Sequence, residues 1–239
     1  VTTGPSRWLT NGACGCPCAT RFQGVGVQGA GPHPGTGPTT PAASRSFVVV
    51  AVREVLQIGH PTLRIGARPI DAGELASPAI QTLIDDLIDT MHDAHGAGIA
   101  ANQVGETVRV VVMEVTANPR YPYKPPIPLT IAVNPTVEPV DDETVVVNEG
   151  CLSVPLRGDV ERHVNVRVRY LDRHGVAHDE VVRGLTAGTW QHEVDHLDGV
   201  LFVDRVDDRT TLATWPQFEA HQRDAFIERI TAFVAEVGS

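Results

Sequence analysis

The stretch QHEVDHLDG, residues 191–199, decides how the rest of this sequence is interpreted. His192 and His196 stand four positions apart, about one helical turn, so both imidazoles project from the same face of a helix. Two such imidazoles can bind one metal ion, and Glu193 beside them can act as a general base. A catalytic metal normally has three protein ligands and an open position for water. A third ligand is therefore expected elsewhere in the chain.

Composition and charge limit the class of protein. The chain has 239 residues and a net charge of −10, which argues against nucleic acid or an anionic membrane as its main partner. No apolar run approaches the roughly 18–20 residues of a membrane span. Residues 1–46 are rich in Gly and Pro and are predicted to form a disordered tail, because they contain too few apolar side chains to bury. A single globular domain is expected over 47–239.

Apolar periodicity predicts an α+β fold. Ser77 and Pro78 have the residue types of a helix N-cap and first turn, and apolar residues follow at helical spacing. The small residues of 96–105 would let another backbone approach closely. Several strands followed by helices are typical of an α+β protein. Strands are predicted over 107–115, 129–134, 136–140, 143–147, 164–171 and 178–183, and the later helices over about 185–197 and 217–236.

Cys151 is the best candidate for the third ligand. It stands in NEGCLSVP, residues 148–155, directly after a predicted strand. A thiolate on a metal is deprotonated outright, and it suits a softer ion than Mg²⁺ or Ca²⁺. Taken alone, a single cysteine is more often a small buried apolar residue. The surrounding sequence favours the ligand.

Three blocks of the sequence resemble the peptide deformylase family. They are GAGIAANQ (96–103), EGCLS (149–153) and QHEVDHLDG (191–199), in that order and at similar spacing. One block alone is only moderately specific, whereas the three in order are very specific, and the resemblance covers about residues 50–210. It implies antiparallel β-sheets packed around a central metal-binding helix, with an N-terminal and a C-terminal helix. The family usually has Leu where this chain has Ile99.

The resemblance implies a role for each residue of the metal site. Cys151, His192 and His196 would bind one divalent metal ion. The ion is most often Fe²⁺ in this family, with Zn, Ni or Co as alternatives. Glu193 would act first as the general base and then as the acid.

The same resemblance implies a set of substrate contacts. Gln103 and the backbone N–H of Leu152 would face the oxyanion. Gly98, with Ala97 beside it, would offer backbone groups to the substrate peptide. Arg157 would contact the carbonyl groups of the substrate, or else is an exposed loop arginine.

The activity implied is removal of the formyl group from the N-terminal formyl-methionine of nascent polypeptides, with release of formate. The partner is then an N-formylated nascent peptide. Cytoplasm is the expected location, with an organelle as the alternative, because Fe²⁺ beside a thiolate needs a reducing compartment. Transient ribosome contact fits this activity. Residues 218–239 hold two arginines against four acidic residues, so no strong docking on RNA is expected from the C-terminal helix.

Two other readings of the metal motif and one departure from the family stay open. An endopeptidase of the H-E-x-x-H type would usually have its third ligand C-terminal to the motif. A non-catalytic metal-binding module would not need Glu193. Many deformylases have an Arg and aliphatic residues where this chain has Ala-Gly-Thr-Trp at 187–190, which puts the details of the methionine preference in doubt.

Asp195 is expected to pair with Arg162, to accept from a histidine ligand, or to face solvent.

Overall fold

Two antiparallel β-sheets flank the helix that contains QHEVDHLDG. The computed structural model describes residues 51–116 and 122–238, which belong to Ser46–Ser239, one of the two units into which the chain divides. The predicted tail over 1–46 lies outside the described residues. The helices are α1 (Ala72–Leu75), α2 (Pro78–Asp93), α3 (Gly184–Leu197), α4 (Trp215–His221) and α5 (Arg223–Val237). None of the described helices is long and apolar enough to cross a membrane.

The strands form a five-stranded and a three-stranded sheet. The five-stranded sheet has the order β1-β2-β3-β6-β7, the smaller sheet has the order β4-β5-β8, and every neighbouring pair is antiparallel. Helix α3 contacts strands of both sheets, so it is central, as the α+β prediction requires. The strands are β1 (Gly98–Ala100), β2 (Val110–Val115), β3 (Ile127–Pro139), β4 (Thr144–Cys151), β5 (Val154–His163), β6 (Asn165–Leu171), β7 (Ala177–Arg183) and β8 (Ala213–Thr214).

Helix α2 forms as its sequence predicts. The Ser77 hydroxyl accepts a hydrogen bond from the Ile80 N–H, and Pro78 occupies the first turn, where its missing N–H costs nothing. Its apolar stripe packs against β1 and β2 in one buried cluster. This packing fixes the glycine-rich segment after α2, where β1 lies beside α3.

Helix α3 is buried on almost every side, including its polar residues. Gly199 follows its end at a φ of 74°, a conformation that only glycine adopts without strain. The Val200 N–H donates to the Asp195 carbonyl at 2.9 Å and the Gly199 N–H to the His196 carbonyl at 3.0 Å. These bonds satisfy carbonyls of the last turn and fix the helix end that carries the two histidines.

The strand predictions need several corrections, and among them β4 extends to Cys151 rather than ending at 147. The two strands expected over 129–134 and 136–140 are one strand, β3, whose register is irregular between Val133 and Thr136, which is how a strand accommodates Pro135. Strand β2 begins at Val110 rather than at 107. Strand β5 was not predicted, because the buried Arg157 and Arg162 interrupt its apolar alternation.

The C-terminal helix also differs from its prediction. One helix was expected over 217–236, whereas the structure has α4 and α5, separated at Gln222, whose φ and ψ are −122° and −22°. Phe218, Phe226 and Ile230 are buried in one cluster with Val147 of β4. The two helices therefore pack on the smaller sheet.

Candidate active site

The structure brings together the three residues predicted as metal ligands. Cys151 is the last residue of β4, and His192 and His196 lie on the adjacent face of α3. The candidate ligand atoms of the three residues all lie within 4.8 Å of one another. The Cys151 Sγ is 3.2 Å from His196 Nε2. A thiolate and two imidazoles in this arrangement suit a divalent transition metal and leave a fourth position open.

The orientation of His192 supports that reading. Its Nδ1 lies 2.8 Å from a carboxylate oxygen of Glu149, so Nε2 is the nitrogen that faces Cys151 and His196. Metal-binding histidines commonly donate their second N–H to such an acceptor.

Arg162 joins the carboxylates behind the site. It is 3% exposed, and it donates to Glu149 from Nε at 2.7 Å and to Asp195 from Nη1 at 2.6 Å. Arg205 also pairs with Asp195. The predicted pairing of Asp195 with Arg162 is confirmed. Burial alone would raise the pKa of Glu149, but the charges and hydrogen bonds of Arg162 and His192 outweigh burial and hold that pKa well below its usual range.

Glu193 lines the cavity beside the candidate metal ligands. It is 5% exposed, and its Oε2 has no hydrogen-bond partner among the described residues. Burial raises the pKa of Glu193 to about 7, although the charges of His192 and Lys124 oppose the shift. A carboxylate with this pKa can both accept and return a proton near neutral pH.

Gln103 is fixed beside the same group of residues. Its Oε1 accepts from the Ala100 N–H at 2.8 Å, so its amide nitrogen points the other way. That nitrogen donates to the Ser153 hydroxyl at 3.0 Å and to the Cys151 Sγ at 3.5 Å. It is thus an uncharged donor held next to the candidate metal site.

A cavity of about 280 Å³ opens onto these residues. Ala97, Gly98 and Leu152 line it, together with Gln103 and Glu193. Every residue predicted for the site except His196 therefore lines this one cavity. Gly98 approaches Glu193 so closely that a Cβ there would lie 2.6 Å from the carboxyl carbon of Glu193.

Arg157 lines the cavity but also has a structural role. It is 2% exposed, and its Nε and Nη2 donate at 2.7 Å to the side chain and backbone oxygens of Asn148. Its guanidinium carbon lies 4.5 Å from the ring centroid of Trp215 and 4.4 Å from that of Phe218. Arg157 is therefore no exposed loop arginine, and it ties α4 to the smaller sheet.

Four cavity residues had no signal in the sequence. Tyr123 and Lys124 follow the segment 117–121, which lies outside the described residues, and Trp215 and Phe226 come from α4 and α5. A Pro-rich loop and an amphipathic helix do not reveal which side chains face a distant cavity. Lys124 is the only lysine of the chain, which is the one feature that could have drawn attention to it.

Comparison with known proteins agrees with this geometry. The sequence profile of the polypeptide deformylase family matches residues 52–211, more than half of the chain. Peptide deformylase 2 of Ralstonia nicotianae is 41% identical over 178 residues, which are 72% of this chain and 99% of that protein. Peptide deformylase of Leptospira biflexa is 42% identical over 159 residues, which are 66% of this chain and 89% of that protein.

Solved structures lead to the same family. A class I type b peptide deformylase from Acinetobacter baumannii, with Met-Ala-Ser bound, has 41% identity and a TM-score of 0.64 and covers 66% of this chain and 99% of its own. Peptide deformylase from Thermotoga maritima has 34% identity and a TM-score of 0.57 over 66% of this chain and 99% of its own. The family profile over more than half of the chain, together with relatives about 41% identical along almost their whole length, shows that this chain belongs to the polypeptide deformylase family.

Proposed function

We propose that this protein is a metal-dependent hydrolase that removes the N-formyl group from the N-terminal formyl-methionine of nascent polypeptides. The observation that carries the proposal is the position of Glu193. It is a buried carboxylate with one oxygen unpartnered among the described residues, and it faces the cavity beside Cys151, His192 and His196. The product pair is formate and a peptide with a free amine.

Each residue of the site has a distinct role in the proposed reaction. When bound, a divalent metal lowers the pKa of water toward neutrality and polarises the substrate carbonyl. Glu193 accepts a proton from the attacking water and then donates it to the leaving amide nitrogen as the C–N bond breaks. The Gln103 amide and the Leu152 N–H donate to the oxygen that becomes negative during attack. Each fixed donor of this kind raises the reaction rate by about 10²–10³-fold.

The backbone of β1 is suited to hold the peptide. Strand β1 is the outer strand of its sheet, so one side of Gly98 and Ala97 is available to an extended chain. An incoming peptide that adds as a further strand gains main-chain hydrogen bonds without a sequence requirement. Such a mode suits an enzyme that acts on many different nascent chains.

The metal and the location follow from the donor set. A thiolate with two imidazoles accepts Fe²⁺, Zn²⁺, Ni²⁺ or Co²⁺, and we propose Fe²⁺ as the resident ion. A thiolate beside Fe²⁺ needs a reducing compartment, so we place the protein in the cytoplasm.

Contact with the ribosome would be transient, because the C-terminal segment 218–239 carries a net charge of −2 from two arginines and four acidic residues.

The test is formate release from formyl-Met-Ala-Ser by protein purified without oxygen. Acetyl-Met-Ala-Ser and an unformylated peptide serve as parallel substrates. Release of formate with no internal cleavage of the unformylated peptide is the expected result. Internal cleavage of that peptide, without formate release from the first, would favour an endopeptidase and overturn the proposal.

A further inference from the structure

Ser153 is the last residue of EGCLS, and the proposed reaction gives it no role. It is completely buried, and it lies between Leu152 and Val154, which line the cavity although Ser153 does not. Its hydroxyl oxygen accepts a hydrogen bond from Gln103 Nε2 at 3.0 Å. A buried hydroxyl that does not reach the cavity can affect the reaction only through a neighbouring residue. Gln103 is that neighbour.

Two hydrogen bonds hold the Gln103 amide, one at each end. Its Oε1 accepts from the Ala100 N–H at 2.8 Å, and its Nε2 donates to Ser153 Oγ. A planar amide that is held at both its oxygen and its nitrogen does not rotate about its last bond. The amide nitrogen has two hydrogens. Because Ser153 accepts one of them, the other is directed toward Cys151 Sγ, 3.5 Å from Nε2, on the side of the candidate metal ligands.

The backbones of Gln103 and Ser153 are fixed by one segment of the chain. The Leu56 N–H donates to the Gln103 carbonyl at 2.8 Å, and the Ile58 N–H donates to the Ser153 carbonyl at 2.7 Å. The Ser153 N–H donates to Cys151 Sγ at 3.4 Å. None of these three bonds uses the Ser153 hydroxyl. Alanine at this position therefore removes the contact with the Gln103 amide and keeps the backbone bonds that surround it.

We propose that Ser153 is a positioning residue whose hydroxyl orients the Gln103 amide, so that the second hydrogen of Nε2 is presented to the oxyanion. This inference rests on the proposed deformylase function. Without the hydroxyl, a buried N–H loses its acceptor, and the amide turns toward another one. A donor contributes most when it is already oriented as the charge develops. Loss of this orientation lowers kcat, whereas binding of the uncharged substrate carbonyl changes little.

The test is a double-mutant cycle with Ser153→Ala and Gln103→Leu, measured by formate release from formyl-Met-Ala-Ser. Ser153→Ala is expected to lower kcat by about 10-fold and to leave KM within about twofold of the wild-type value. In the Gln103→Leu background, Ser153→Ala should have no further effect, because the amide that it orients is absent. A further fall of similar size in the double variant, or a wild-type kcat in Ser153→Ala alone, would overturn the inference.

Ser77→Ala is the matched control. It also removes a serine hydroxyl that accepts a hydrogen bond, here from the Ile80 N–H at the start of α2, and Ser77 does not line the cavity. This variant should be less stable and keep the wild-type kcat. Metal content and melting temperature are measured for every variant. An equal fall of kcat in Ser77→Ala would attribute the effect to stability and would also overturn the inference.

The Gln103 amide provides a readout that needs neither turnover nor a folded Ser153→Ala protein. In isotope-labelled wild type, its resonances are assigned by their absence from Gln103→Leu. At least one of its hydrogens should exchange with solvent much more slowly than those of Gln217, an exposed glutamine of α4. Equally fast exchange in the two glutamines would overturn the inference while formate release continues. If the wild type releases no formate, the proposed function fails instead, and the exchange rates still test the contact with Ser153.

Discussion

At the scale of single residues, a missing side chain at Gly98 leaves room for the carboxylate of Glu193. A Cβ at Gly98 would lie 2.6 Å from Cδ and 2.9 Å from Cγ of Glu193, and both residues are buried. We predict that Gly98→Ala displaces Glu193 and lowers kcat by about 10²-fold, because small misplacements of reacting groups have effects of that size. Formate release and metal analysis on the same preparation measure the effect.

The control for this substitution is Gly66→Ala, where an added Cβ meets nothing within 4 Å. It should retain the wild-type kcat. A Gly98→Ala protein with full activity would mean that Glu193 is free to move aside and that its position is not critical.

Contacts between residues close together in the sequence were the most predictable feature of the site. His192, Glu193 and His196 lie within five consecutive positions, so the helical repeat alone predicts how they face one another. The contact of Glu149 with His192 and that of Lys124 with Thr189 join residues 43 and 65 positions apart. No local pattern encodes such pairs, which is why both were missed.

At the scale of elements, Arg162 links β5 to β4 and to α3 through the carboxylates of Glu149 and Asp195. We predict that Arg162→Met lowers the free energy of unfolding by about 3–5 kcal/mol, because Glu149 loses its guanidinium partner inside the protein. Glu149 orients His192, so metal affinity should also fall by about 10–100-fold. Denaturant unfolding and metal titration measure the two effects.

Arg167→Met is the matched control for this prediction. Arg167 also pairs with a carboxylate, Asp179, at 2.6 Å, but its side chain is 49% exposed. An exposed ion pair contributes about 0–1 kcal/mol, so stability and metal affinity should change little. Equal losses in the two variants would show that burial of the network is unimportant.

The end of α3 depends on Gly199. Its φ of 74° strains any other residue, and a Cβ there would lie 2.9 Å from the backbone of Arg64. Gly59→Ala introduces backbone strain at a positive φ but no clash, because an added Cβ meets no atom within 4 Å. It should therefore lower the free energy of unfolding by about 1–2 kcal/mol. Gly199→Ala should cost about 1–3 kcal/mol more, because the backbone of Arg64 must also move. Thermal melting of both variants compares them, and equal stabilities would contradict the prediction.

Elements with a regular apolar pattern were predictable, and those that bury charge were not. Helix α2 and helix α3 begin within a residue of their predicted starts. Strand β5 was missed, because two of its buried residues are Arg157 and Arg162, and the charge of Arg162 is balanced by Glu149 and Asp195, 13 and 33 positions away. The break at Gln222 between α4 and α5 was likewise not predicted, because no proline or glycine lies at that position.

At the scale of the whole molecule, the described residues that line the cavity come from five separate stretches of chain. These are 94–103, 123–124, 147–157, 185–193 and 215–226, and the last lies beyond the residues 52–211 that match the family profile. The sequence blocks predict the reacting centre, but the walls of the cavity depend on how the C-terminal helices pack. Sequence alone therefore predicts the reaction class better than the preferred side chain.

Metal binding should also stabilise the whole fold, because the ligands come from β4 and α3 and meet only in the native state. At a free metal concentration 100 times the Kd, binding contributes about 2.7 kcal/mol. We predict that a chelator lowers the melting temperature by about 5–10 °C. The shift should be much smaller in Cys151→Ser, which lacks the thiolate. A melting temperature unaffected by the chelator in wild type would contradict a metal held by these residues.

We propose that Glu193 moves the proton in a metal-dependent deformylation. The most direct measurement is formate release from formyl-Met-Ala-Ser by wild type and by Glu193→Gln, with the metal content of both determined. We predict equal metal content and a rate that falls by about 10²–10⁴-fold in the variant, the usual contribution of a positioned general base. If Glu193→Gln releases formate at the wild-type rate with its metal in place, Glu193 does not move the proton.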